Sequence, residues 1–467
     1  MPIIDLKKIK QILKSKSNFL FTNLIIAGIL ITFIYYYTTT IESLAGVFTL
    51  TASIILMGFL LFKTLCPRIF DQSSRFTLSE TVILLFLLII ILIDTTRTLS
   101  GYFIPTGAAA ILLTVLTNPI NAIINVIIIS LLAGIIGDFS LNIFFVSLIG
   151  GIAGIYSSRN VRTRSDLHRS GWYILLANVI GISGISLIHN YSLFDLSVGV
   201  VWGAGNAFIS MILASGLLPL FENLFRITTN VRLLELADFN QPVLKRLMME
   251  APGTYHHSLL VGNLAENACE KIGANPLLAR VGAYYHDIGK LKNPQYFIEN
   301  QMHATDRHKN LKPNISALIL KRHVKDGLAI AEQYNLDNII KDLIIQHHGT
   351  TLIEYFYKKD LEEVKDESKV PKKEYRYPGP RPHIKEAGVL MLADSVEAAC
   401  RTLEEPSYSR ISSLVTKIIN NKFIDNQLNN CDITLANLEE IQKSFTKTLS
   451  GIYHSRIEYP EGKEETE

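Results

Sequence analysis

Apolar runs of near-membrane length fill the first half of the chain, and the spacing of apolar positions changes character after residue 226. The runs fall at roughly 19–37, 41–62, 77–94, 101–117, 119–137, 139–157, 171–189 and 199–222. A spanning helix needs about 20 mostly apolar residues, or about 17 to 25 with tilt, so the pattern predicts about eight spans. The pair meeting at Asn118-Pro119 is the weakest, because two short segments there could form a re-entrant hairpin. Losing both would preserve the topology.

Beyond residue 226 apolar positions recur at intervals of three and four, which predicts helices. They fall at 240–250, 254–272, near 275–290, 316–334, 336–348, 385–404, 408–421 and 434–453, with Ala251-Pro252-Gly253 interrupting the first two. Residues 293–314 and 357–384 read as loops; the second opens on the charged run Lys358 to Lys373, a solvated stretch. The fold class expected is all-α: a polytopic transmembrane bundle followed by a cytoplasmic, all-helical domain. The boundaries are a basic N-terminus at 1–18, the bundle at 19–225, the second domain at 226–460 and a disordered acidic tail at 461–467.

Charge sets the orientation. The first run follows Lys7, Lys8, Lys10, Lys14 and Lys16, as in a signal peptide, but it ends in Tyr35-Tyr36-Tyr37 without a small-residue cleavage site. It reads as a retained span. Lys63, Arg68, Arg75, Arg159, Arg162, Arg164 and Arg169 fall on one side, and little beyond Arg97 on the other. The positive-inside rule then puts the N-terminus and the second domain in the cytoplasm of a multi-pass cell-membrane protein.

Composition narrows the function. Over 467 residues the mean hydropathy is +0.26, with 48% hydrophobic residues concentrated before residue 226. A net charge of +3 gives no reason to expect a DNA or RNA polymer as partner. Cys66, Cys269, Cys400 and Cys431 are far apart, as buried thiols in a reducing compartment would be. Glu42, Glu80, Asp94, Asp138 and Asp195 sit near segment ends, read as solvated helix-end carboxylates. Neither a midplane charge nor a repeat suggests a transporter, so the bundle reads as an anchor or sensor. A homodimer is compatible with the chain, but no pattern requires one.

Nine of the twelve histidines lie between residues 256 and 383. His257, His286-Asp287, His323, His347-His348 and Asp394 form the order expected of a two-metal site. His286 and Asp287 project about 100° apart on a helix, so both reach one centre only near the helix end, with Gly289 as a natural stop. A carboxylate has two oxygens, so Asp287 is assigned as the bridge. His257, His286 and Asp394 would complete one ion's shell, and His323, His347 and His348 the other's. Mixed nitrogen and oxygen donors suit iron, manganese or zinc rather than an all-oxygen magnesium cage. Lys290, three residues after Asp287, would project past the ions to a phosphate oxygen. Arg401 reads as a structural ion pair, and His303, His308, His383 and His454 as ordinary histidines. His256 reads as a supporting or structural residue.

These residues resemble the HD-domain phosphohydrolases, whose signature His286-Asp287-Ile288-Gly289-Lys290 matches in its HDIG form. Ala251 to Ser258, Gln346 to Thr350, Tyr377-Pro378-Gly379-Pro380, Met391 to Ala399 and Gly451 to Arg456 are similar to the seven-transmembrane HD family. That family contains the PgpH-type cyclic di-AMP phosphodiesterases. The resemblance implies a site for two iron or manganese ions on the seven named ligands, with cyclic di-AMP hydrolysed to linear pApA by a metal-activated hydroxide. It implies bacterial second-messenger turnover, with Asp287 and Lys290 as catalytic residues. Lys290, Tyr377 and Gly379 would contact substrate, although Tyr377 to Pro380 read equally as a rigid turn.

One departure is that only about residues 38–41 separate the first span from the rest, where family members generally carry a large extracellular domain. Other readings stay open: cyclic di-GMP, an alarmone or a mononucleotide as substrate, or a nucleotide-sensing receptor. The Gly-Tyr-Pro motif of cyclic di-GMP enzymes is missing, Arg376-Tyr377-Pro378 being the closest approach.

Overall fold

The computed structural model describes residues 41–67, 69, 73–301 and 307–453. The expected first span at 19–37, Arg68, His303, His454 and the acidic tail lie outside the described residues. The described chain is helical, with one isolated bridge between Leu352 and Arg376 and no strand. It divides into two units, 1–231 and 232–467.

The first unit contains α1 (Ile41–Leu65), α2 (Ser73–Thr96), α3 (Thr106–Leu116), α4 (Pro119–Ile136), α5 (Leu141–Ser158), α6 (Arg164–His189) and α7 (Leu193–Phe225). Five of these, α2 and α4 to α7, are long and apolar enough to cross a membrane. The expected span at 101–117 is instead a 3-10 turn, Gly101–Phe103, followed by the 11-residue α3. At 1.5 Å per residue α3 is about 16 Å long, well short of a bilayer core. Its residues are buried apart from Val115. Pro119 starts α4 at a first-turn position, and Asn118 caps it by accepting from Asn121 N at 2.8 Å.

Backbone proximity and amide side chains join these helices. A Cβ on Gly154 would meet Gly107 O at 3.1 Å, so α3 and α5 touch main chain to main chain. Asn121 donates to Ser79 Oγ at 2.9 Å, Asn178 to Gly203 O at 3.0 Å and Asn206 to Tyr102 O at 3.0 Å. Large apolar side chains such as Trp172, Leu176, Ile180 and Phe208 face outward. Glu80 departs from the reading as a solvated helix end. Because α2 begins at Ser73, Glu80 lies two turns inside and is buried.

The second unit packs α9 (Pro242–Glu250), α10 (Pro252–Lys271), α11 (Pro276–Tyr285), α12 (Pro313–Gln333), α13 (Asn338–Gln346), α14 (Glu354–Val364), α15 (Lys385–Cys400), α16 (Tyr408–Ile424) and α17 (Leu435–Ile452). A short α8 (Asn230–Leu236) falls across the division. Proline at N1 or N2 opens α9 to α12, since its missing N–H costs nothing in a first turn. The Pro252 interruption expected in the sequence is therefore a helix start.

The expected loop at 357–384 is partly wrong. Its charged beginning folds as α14, which buries Phe356 and Tyr357 with Ala317, Val370 and Tyr375. Two buried aromatics override the polarity of the run. Residues 293–301 form 3-10 turns, Pro294–Tyr296 and Ile298–Asn300. All four cysteines are free and buried.

Candidate metal centre

Five helices converge on one point. His257 lies on α10, His323 on α12 and Asp394 on α15, while His286-Asp287 and His347-His348 follow the ends of α11 and α13. Helix α11 ends at Tyr285 with His286 still helical as its C-cap, and Asp287 turns out of the repeat at φ −108°, so the two side chains can face the same centre. Gly289 is not the left-handed stop expected of it, because its φ is not positive. Its need is proximity: a Cβ there would collide with His323 O and Gly327 N of α12. Glycine thus lets the segment after Asp287 press onto the helix that supplies His323.

The two oxygens of Asp287 face different histidines. Oδ2 lies 3.2 Å from His286 Nε2 and 3.7 Å from His257 Nε2, whereas Oδ1 lies 3.3 Å from His323 Nε2 and 3.8 Å from His347 Nε2. Asp394 Oδ1 lies 3.1 Å from His257 Nε2 and 3.8 Å from His286 Nε2; its Oδ2 lies 3.5 Å from His348 Nδ1. The donors form two sets able to hold a metal: His257, His286, Asp287 and Asp394, and His323, His347 and His348.

Backbone carbonyls aim three of the rings. Nδ1 of His286 donates to Ala283 O at 2.7 Å, that of His323 to Leu320 O at 2.5 Å, and that of His347 to Ile344 O at 2.6 Å. Each bond selects the tautomer that leaves Nε2 with a free lone pair. Glu397 plays the corresponding part for His257 Nδ1, and Arg401 holds Glu397 Oε1 at 2.6 Å. Arg401 forms the structural ion pair expected of it, but the sequence reading missed Glu397 as the ring's support. Its spacing of one turn after Asp394 was the available signal.

Burial lowers His347 to about 3 and His348 well below its ordinary value, and it lowers His323, so these rings are neutral donors. Burial also opposes the charge on His286, but Asp287 and Asp394 raise it to about 10, so a metal ion binding there would have to displace the Nε2 proton. Burial works against ionised Asp287 and Asp394 too, yet nearby histidines, together with Lys290 at Asp287, hold both well below the usual carboxylate range. Two fully buried atoms, His286 Nε2 and Asp287 Oδ1, satisfy no hydrogen bond. Orphaned buried polar atoms are costly, and a divalent cation would engage both. The donor chemistry fits a metal centre.

Lys290 does not project beyond the cluster. Its Nζ lies 2.7 Å from Asp287 Oδ2 and 2.7 Å from Glu299 Oε1, over the Phe297 ring. Tyr377 stacks on His348 with centroids 4.2 Å apart and presents an edge to His323. Gly379, with φ +85°, instead lies against Thr350. His256 is exposed on α10, and His308 bonds Tyr296 O at 2.9 Å.

Two family models match the chain in succession: "7TM receptor with intracellular HD hydrolase" over residues 41–229, and "HD domain" over residues 254–399. The chain belongs to the seven-transmembrane HD family. With this family match and five apolar, membrane-length helices among the described residues, it is a membrane protein. It is 41% identical over 369 residues to the cyclic-di-AMP phosphodiesterase PgpH of Bacillus subtilis, covering 77% of this chain and 52% of that protein. The PgpH of Listeria monocytogenes is 40% identical over 401 residues, covering 84% and 55%. The chain therefore spans about half the length of the curated relatives it matches. A crystal structure of the L. monocytogenes PgpH HD domain with cyclic-di-AMP shares 47% identity, with a TM-score of 0.44, over 47% of this chain and 100% of that one.

Proposed function

We propose that this chain is a membrane-anchored, metal-dependent phosphodiesterase that hydrolyses cyclic di-AMP to linear pApA in second-messenger turnover. The observation that carries this reading is the divided carboxylate of Asp287, whose two oxygens face two separate groups of histidines. The similarity to cyclic-di-AMP phosphodiesterases supports the choice of substrate.

In this reading two ions, iron or manganese, are held by His257, His286, Asp287 and Asp394 on one side and His323, His347 and His348 on the other, with Asp287 shared. Such ions, when bound, lower the pKa of water and neutralise charge developing on a phosphate. Asp287 and Asp394 supply the negative charge that attracts them. The carbonyls of Ala283, Leu320 and Ile344, with Glu397, hold the rings so that binding costs little reorganisation. Lys290 has three N–H donors and uses two, on Asp287 and Glu299, leaving one for a phosphate oxygen. Tyr377 forms an aromatic wall beside His348 for the nucleotide, and Gly379 shapes the adjoining turn. Water adds at phosphorus and the P–O3′ bond breaks, because pApA keeps its terminal phosphate at a 5′ position; the released oxygen takes a proton. The catalytic domain (226–460) lies on the cytoplasmic side: the Arg159, Arg162, Arg164 and Arg169 cluster marks that side, and α6 and α7 cross twice between the cluster and the domain.

The test uses the full chain in detergent with Mn²⁺ or Fe²⁺, given cyclic di-AMP and cyclic di-GMP in parallel. Turnover of cyclic di-AMP to pApA is expected. Preference for cyclic di-GMP would overturn the substrate, and no turnover of either would overturn the enzyme.

A further inference from the structure

Two lysines stand beside the histidine cluster, and only one has its charge answered. Lys290 contacts two carboxylates. They raise its pKa even though burial opposes the charge. Lys422, on α16, donates to Thr351 Oγ1 at 3.0 Å, and among the described residues this hydroxyl is its one polar contact. Asp394, Asp425 and Glu354 act on it through space, but burial outweighs them and lowers it to about 8. A half-buried ammonium with one neutral acceptor keeps two donors and, among the described residues, has no carboxylate in contact with it.

Its location connects that charge to the site. Thr351 N donates to His348 O at 3.1 Å, and Thr351 O accepts from Tyr377 N at 3.0 Å. Lys422 therefore stands at the Thr351 turn, which follows His348 and pairs with the segment that carries Tyr377. The neighbouring cation is already used: Arg376 donates to Thr350 O at 2.7 Å and pairs with both oxygens of Asp425. Gln427 Oε1 accepts from Thr350 N at 2.9 Å. This loop is braced by other residues, so Lys422 is not needed to hold it.

We infer that Lys422 binds the phosphodiester of the substrate that is not being cleaved. The inference rests on the cyclic dinucleotide reading: such a substrate brings two anionic phosphates, of which the histidine-aspartate centre takes one. Lys422 supplies the missing counter-charge for the second, while Lys290 remains committed to Asp287. The interaction exists before and during the reaction alike, so it acts on KM and not on kcat.

The experiment compares the full chain with its Lys422→Gln and Lys422→Arg variants, in detergent with Mn²⁺, by steady-state hydrolysis of cyclic di-AMP. Lys422→Gln should raise KM about tenfold or more while kcat stays within about threefold, and Lys422→Arg should recover most of the loss. An unchanged KM, or a fall in kcat at constant KM, overturns the inference. Should Lys422→Gln not fold, Thr351→Val carries the test, because freeing the ammonium should raise KM severalfold, and no rise counts against the role. Wild-type protein inactive on cyclic di-AMP would sink the parent reading and this one with it; active wild type with an indifferent variant sinks this one alone.

Discussion

Glu397 and His257 form one unit: the carboxylate bonds Nδ1, which turns Nε2 toward Asp394 Oδ1, 3.1 Å away. Both residues are buried, and Arg401 closes the chain from the other side. Support of this kind fixes the tautomer and raises the basicity of a metal-ligating ring. Glu397→Gln should therefore weaken Mn²⁺ binding roughly 10- to 100-fold while leaving the helical content intact. Metal titration followed by calorimetry checks this, and an unaltered affinity would mean that Glu397 is only a packing residue.

Asp287→Ala should abolish hydrolysis, lowering kcat by roughly a thousandfold or more, with the domain still folded. Metal analysis should show the loss of bound ions along with the loss of turnover. Circular dichroism monitors the fold. Activity surviving the substitution would refute the shared-carboxylate assignment.

Chelation offers a readout independent of turnover. Seven buried or half-buried donors converge from five helices, so ion binding should stabilise the second unit. An ion present at about 100 times its Kd adds about 2.7 kcal/mol, provided the unfolded chain does not bind it. Adding EDTA should lower the unfolding midpoint and restoring Mn²⁺ should raise it. Equal midpoints in the two conditions would count against a metal centre.

Gly289→Ala tests proximity rather than chemistry. The added methyl must displace His323 O and Gly327 N, both of them main-chain atoms that yield poorly. A loss of about 3 kcal/mol is expected, with metal affinity falling as His323 shifts. A variant as stable as wild type would show that the two segments separate at little cost.

The Arg376–Asp425 pair predicts an acid-sensitive bracing of the Thr350 loop. The hydrogen bonds from Arg376 lead the causes that hold the Asp425 carboxyl below 3.8 in the folded state. A depressed carboxyl contributes stability above its unfolded value and loses it as pH falls through the folded one. Arg376→Gln should therefore be less stable than wild type by about 1 kcal/mol near neutrality, with the gap closing below about pH 4. A gap that persists at low pH would trace the effect to packing.

Much of the site was legible because its chemistry is written in residue types. An adjacent His-Asp pair, an adjacent His-His pair and a late aspartate have few other uses on apolar helices, and the structure brings all seven expected donors together. What could not be read were the partners of those groups. Arg401 read as a structural ion pair, with no hint that its partner Glu397 supports a ring, and Lys422 carried no motif at all. Lys290 was expected to reach outward, yet Asp287 and Glu299 hold it. Glu299 belongs to a 3-10 turn that no periodicity announces.

Hydrophobic spacing by itself determined the helical class, the apolar first half and the position of most helices, because burial along one face is a local, periodic requirement. It could not decide that 101–117 would make a short buried helix, that a charged run would fold around Phe356 and Tyr357, or that Gly289 was needed for contact with α12 and not for a turn. Those outcomes depend on which distant segment arrives opposite each residue. A side chain's partner across space is fixed by packing, and packing is settled only when the whole unit closes.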